Sequence, residues 1–82
     1  MNTLTTTDVL TAVREELAVA APDVPADAAT DAHLRHDLDV DSLAMLEFVA
    51  RLEYRFGIVV PDEAWTSLAT LDDVVDYLRD QS

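Results

Sequence analysis

Apolar residues return at helical spacing in three stretches of the chain, and no stretch alternates long enough to make paired strands. Over residues 7–21, Val9, Val13 and Leu17 recur every four positions, with Leu10, Ala20 and Ala21 widening the same stripe. This predicts an amphipathic helix. A threonine among Thr5, Thr6 and Thr7 can accept its first free amides, and Asp8 suits the positive end of the dipole. Pro22 has no amide to donate and stops the helix. The second stretch runs from Ser42 to Phe56. At about 100° per residue, Met45, Phe48, Val49, Leu52 and Phe56 converge on one face, with Glu47, Arg51, Tyr54 and Arg55 on the other. Asp41 is placed to cap this helix, and Gly57, the only glycine in the chain, to end it in a left-handed turn. Leu43 and Ala50 fall on the flank beside Glu47, which predicts a partly exposed Leu43 next to Ser42.

The third stripe is Leu71, Val74, Val75 and Leu78, opened by Thr70 and Asp73 at capping-box spacing. Ile58, Val59 and Val60 are β-branched but stop at Pro61 and have no second strand to pair with, so they read as a link. Pro61, Asp62, Glu63, Ala64 and Trp65 resemble the first turn of a short helix. Residues 22–37 show neither periodicity and predict a long surface loop, its far end anchored to the core by Leu34 and Leu38. The expected fold is all-α: a four-helix bundle of three longer helices and one short one, with a long loop between helices 1 and 2, in a single domain spanning 1–82.

Composition narrows the function classes. A chain of 82 residues has room for one core and no large enclosed active site. With 5 basic against 17 acidic residues the formal charge is −12, which repels phosphate backbones and anionic membranes and favours basic protein partners. Nucleic-acid binding and membrane insertion are not expected. Cysteine is absent, so any thiol chemistry must be borrowed. There is no basic leader and no apolar run of membrane-spanning length, and the expectation is a cytoplasmic protein, monomeric alone.

Three constellations have the right residue types for chemistry. Asp37, Asp39 and Asp41 alternate as a calcium loop begins, but Ser42 stands at the glycine position and Phe48 at the closing glutamate. His33 and His36 share a turn near Asp31 and Asp37, which is short of the three or four converging ligands a metal needs. No metal is expected. Ser42, His36 and an aspartate have the composition of a hydrolytic triad without a nucleophile elbow or an oxyanion hole. Taken alone, Ser42 reads as a helix-start residue that satisfies free amides.

The run Asp37, Leu38, Asp39, Val40, Asp41, Ser42, Leu43, followed by the helix through Phe56 and Gly57, closely resembles the acyl carrier protein family. The resemblance continues through Ile58, Val59, Val60, Pro61, Asp62 and Glu63, and again from Thr70 to Leu78, covering most of the chain in the right order and spacing. It implies a non-catalytic carrier whose serine, here Ser42, receives 4′-phosphopantetheine from coenzyme A through a phosphopantetheinyl transferase. The thiol of that arm holds acyl groups as thioesters, which fits a chain without cysteine. A helix start also suits a phosphodiester, because free amides and the positive dipole end face it. Asp41 matches the acid that helps position the transferase's magnesium. Leu43, Glu47, Ala50 and Glu53 match the surface that docks on partner enzymes, such as an acyltransferase, ketosynthase or acyl-activating ligase. Tyr54 lies on the same exposed face.

The chain also departs from the family pattern. Asp39 replaces a usual glycine, a position at which aspartate tolerates left-handed backbone better than most residues, and Ala44 replaces a frequent acid. Arg51 and Arg55 make the docking face mixed in sign, and the expectation is a carrier of a specialised pathway, such as polyketide assembly, whose partner offers an acid to these arginines. Asp39, Val40 and Asp41 are not the paired glycines typical of peptidyl or aminoacyl carriers, which form the alternative within the class; a helical interaction module capped by Ser42 is the alternative outside it. Trp65 reads either as a half-buried packing residue or, by the resemblance, as a lid on the short helix that covers the acyl chain.

Overall fold

The computed structural model describes residues 6–81. Four helices follow in order: α1 (Thr6–Ala20), α2 (Ser42–Phe56), α3 (Asp62–Trp65) and α4 (Leu71–Asp80), with no strand among the described residues. The all-α expectation holds. α1 begins with the described residues, so a cap at Thr5 lies outside them. At its other end the Ala21 amide still donates to the Leu17 carbonyl at 2.7 Å, and Pro22 ends the series.

α1 packs against both α2 and α4. Val9, Val13 and Leu17 meet Met45, Phe48, Val49 and Leu52 from α2 and Leu71, Val74, Val75 and Leu78 from α4 in one buried cluster. Phe48 is fully enclosed, a burial that contributes about 1.5–3 kcal/mol. Phe56, expected in the core, is only partly buried against it.

The 22–37 segment is a loop, as the absence of periodicity predicts, but it is built of turns. The amides of Val24, Ala28 and Ala32 each donate three residues back, to Ala21, Pro25 and Ala29. Its far end is tied to the start of α4. The Leu34 amide donates to the Ala69 carbonyl at 2.8 Å, the Asp72 amide donates to the Thr30 carbonyl at 3.0 Å, and His33 and Thr70 form an isolated antiparallel bridge. Leu34 is fully buried and Leu38 partly so, as expected; Ala28 and Val40 are buried as well. Residues 58–60 link α2 to α3 as read. The Thr70 hydroxyl accepts the Asp73 amide while the Asp73 carboxylate accepts the Thr70 amide, both at 3.1 Å, closing the predicted capping box.

Candidate functional site at the start of α2

The backbone before α2 is held from both sides. The Val40 amide donates to the Leu34 carbonyl at 2.9 Å and its side chain enters the core, so Asp39 and Asp41 point outward to either side of it. Alternation here serves a buried valine, not a cation; among the described residues no three His, Cys, Asp or Glu side chains converge as a metal would require. Asp39 adopts φ 57°, in the left-handed region that aspartate tolerates. Asp41 is extended, and its carboxylate accepts the Ala44 amide at 2.8 Å. Asp41 is therefore the cap, which leaves Ser42 as the first residue of the helix. Ser42 is exposed, and among the described residues no hydrogen bond engages its hydroxyl.

Beside Ser42 lies a groove of about 370 Å³, walled by His33, Arg35, Met45, Trp65, Leu68 and their neighbours. His33, not His36, shares this groove with Ser42, although the two imidazoles do meet, with ring centroids 4.3 Å apart. His33 Nδ1 accepts the amides of Arg35 and His36, each at 3.2 Å. An imidazole with that lone pair occupied carries its proton on Nε2 and has no base to offer the serine. The hydrolytic reading has no support in this geometry.

Along the outer face of α2, Leu43, Glu47, Ala50 and Tyr54 form one exposed stripe, with Leu43 74% and Tyr54 93% exposed. Leu46 is exposed on its flank. The charged neighbours are committed elsewhere. Arg51 Nε donates to Glu16 of α1 at 2.8 Å, and Arg55 Nη1 donates to Glu15 at 2.8 Å and to Glu16 at 2.9 Å. Glu47 and Arg51, one turn apart, stand at 4.0 Å, the looser of the Arg51 contacts. The Arg55 guanidinium, with Arg51 beside it, holds the Glu16 carboxyl below the ordinary glutamate range despite its partial burial, and the two carboxylates hold Arg55 above its own. Glu53 turns away from the stripe: one carboxylate oxygen accepts the Val60 amide at 2.8 Å.

An exposed serine with an unengaged hydroxyl thus stands on the first turn of α2, next to an open groove and the exposed stripe. Residues 4–78 match the family model described as the phosphopantetheine attachment site. The chain belongs to the acyl carrier protein family. It is 37% identical over 71 residues to the acyl carrier protein of Acidothermus cellulolyticus, spanning 87% of this chain and 84% of that one. It is also 38% identical over 55 residues to the acyl carrier protein of Rhodococcus erythropolis, spanning 67% of this chain and 60% of that one. The solved acyl carrier protein of Enterococcus faecalis superposes with a TM-score of 0.78 at 32% identity, covering 95% of this chain and 99% of that one. The family is one of carriers, and its attachment domain implies a covalently held 4′-phosphopantetheine. No described helix is long and apolar enough to cross a membrane.

Trp65 sits half-buried on the four-residue α3, packed on the core and lining the Ser42 groove. Its packing on the core agrees with the reading of a half-buried packing residue. The groove itself was missed, since its walls come from the loop, α2, α3 and the residues before α4, which no single periodicity relates.

Proposed function

We propose that Ser42 is the attachment residue and that this single-domain cytoplasmic carrier serves a specialised acyl pathway such as polyketide assembly. The observation that carries the assignment is the division of labour at the start of α2: Asp41 caps the helix, so the neighbouring hydroxyl is free to react. Ser42 Oγ attacks phosphorus in the pyrophosphate of coenzyme A. A serine–phosphorus ester bond forms, the pyrophosphate bond breaks with adenosine bisphosphate as the leaving group, and the hydroxyl proton passes to a base of the transferase. First-turn amides and the helix dipole favour the resulting phosphodiester. Asp41 helps position the transferase's magnesium with the oxygen its cap leaves over. The arm's terminal thiol supplies thioester chemistry.

Leu43, Glu47, Ala50 and Tyr54 are the proposed contact surface for the transferase and for an acyltransferase, ketosynthase or acyl-activating ligase. Arg51 and Arg55 border it and line, with Glu16, a shallow depression of about 620 Å³. Glu53 contributes with one oxygen already spent on Val60. Cations on a face usually acidic support a specialised pathway over fatty-acid synthesis, and the run Asp39, Val40, Asp41 before the serine, without paired glycines, supports an acyl over a peptidyl carrier.

Incubation with coenzyme A, magnesium and a broad-specificity transferase, followed by intact mass measurement, tests the assignment. One phosphopantetheine should be gained by the native chain and none by Ser42→Ala. Loading of Ser42→Ala would refute it. A panel of acyl-activating enzymes offered the loaded carrier then tests the pathway: preference for a fatty-acid synthase acyltransferase over polyketide partners would overturn that part.

A further inference from the structure

One buried polar atom among the described residues has no account in the fold. Trp65 Nε1 is buried, and among the described residues it is the one buried side-chain nitrogen or oxygen without a hydrogen-bond partner. Donors shut away from water are nearly always paired, because an unpaired one carries its whole desolvation cost. The neighbouring hydroxyls turn to the backbone, Thr66 Oγ1 donating to the Glu63 carbonyl at 3.2 Å and Ser67 Oγ to the Ala64 carbonyl at 2.8 Å, and neither accepts the indole N–H.

The location of this donor gives it a use. Trp65 walls the same groove as Ser42. Arg35 lines that groove too, and its guanidinium makes no ion pair or hydrogen bond among the described residues. The residue with the unpaired N–H and an unpaired cation thus wall the same groove in a strongly acidic chain, and both groups favour an electron-rich oxygen; Nε1 itself is shut from solvent, so an oxygen in the groove reaches it as α3 yields. α3 is also the element best able to yield. It has four residues, no fully buried side chain and no side-chain cap bond at Pro61.

We infer that the Trp65 indole N–H is a specificity-determining donor that binds a carbonyl oxygen delivered into the groove by whatever Ser42 carries. Two sources share that chemistry: an amide of the arm, and a carbonyl of the acyl cargo. Where the acceptor is a cargo carbonyl beyond the thioester, an oxo-acyl chain is retained better than a saturated chain of equal length, and the groove then reads oxygenation as well as apolar length. The inference rests on the assignment of Ser42 as the attachment residue, and confirming the arm by intact mass beforehand keeps the two failures distinct.

The test follows the indole N–H resonance of the nitrogen-15-labelled protein in apo, holo, saturated-acyl and β-oxo-acyl forms. A downfield move of the indole proton already in the holo form assigns the acceptor to the arm. A move appearing on acylation assigns it to the thioester carbonyl, and one confined to the oxo form assigns it to the cargo's added oxygen. No downfield move in any loaded form overturns the inference. Trp65→Phe keeps the ring and removes the donor. Hydroxylamine should cleave the oxo-acyl thioester roughly twofold to tenfold faster from this variant than from the native carrier, the range expected for one hydrogen bond. Equal cleavage rates would overturn the inference as well.

Discussion

The Asp41 carboxylate accepts the Ala44 amide at 2.8 Å, and this one bond separates capping from chemistry at the start of α2. The two roles proposed for Asp41 respond differently to substitution. Asparagine caps a helix as well as aspartate does, so Asp41→Asn should leave the unfolding midpoint nearly unchanged, whereas Asp41→Ala should cost about 1 kcal/mol. Transferase modification should slow by roughly tenfold or more in both, because loss of an outer-shell group at a metal typically costs that much. Urea denaturation and a timed mass assay read the two effects separately.

Glu16 ties α1 to both arginines of α2. Its folded pKa is depressed, chiefly by the Arg55 hydrogen bond, so its contribution to stability is fully present above the unfolded pKa of a glutamate. That contribution is lost as pH falls through the lower folded value. Glu16→Gln should therefore be less stable than the native chain at neutral pH, by up to about 1 kcal/mol for a partly exposed network. The difference should shrink in acid, below the ordinary glutamate range. Denaturation at neutral and acidic pH checks both sign and window.

Glu47 and Glu53 both match the docking surface, yet only Glu53 holds the backbone of the following link. Glu53→Ala strands the Val60 amide and should cost about 1–2 kcal/mol, with Glu53→Gln recovering most of it. Glu47→Ala should stay within about 0.5 kcal/mol, as surface changes usually do. Thermal unfolding of the three variants decides. Partner-rate losses in Glu47→Ala then report docking directly.

Gly57 has φ 66° and open space where a side chain would begin. Gly57→Ala should lose about 1 kcal/mol through backbone strain alone. At Asp39, φ 57°, the reverse change Asp39→Gly should be neutral or stabilising by a few tenths of a kcal/mol, since relief of strain opposes a freer unfolded chain. Chemical denaturation distinguishes these outcomes.

Features fixed by near neighbours in the chain are legible in the sequence. Asp41 and Gly57 bound α2 at Ser42–Phe56 as expected, and Thr70 with Asp73 opens α4 at Leu71. The left-handed tolerance of Asp39 was legible because it is a property of the residue itself. Contacts between distant segments were not. Arg51 has a visible candidate at Glu47 one turn away, but its short bond goes to Glu16, 35 positions earlier. Val40 has no periodic partners, and its burial follows from the Leu34 anchor and the turn at Asp39. The orphaned indole of Trp65 is likewise a fact about three-dimensional enclosure that spacing does not encode.

Asp39 and Gly57, the two residues with positive φ among the described residues, stand one on each side of α2. A helix bracketed in this way cannot lengthen or slide by a residue at either end without moving a left-handed turn onto a side chain that resists it. Helical periodicity sets the angular offset between Ser42 and the Leu43–Tyr54 stripe, and the two turns hold the helix that carries both in one register. An enzyme that seats the stripe meets the reactive oxygen at a fixed bearing, and two backbone torsions act as the molecule's alignment marks.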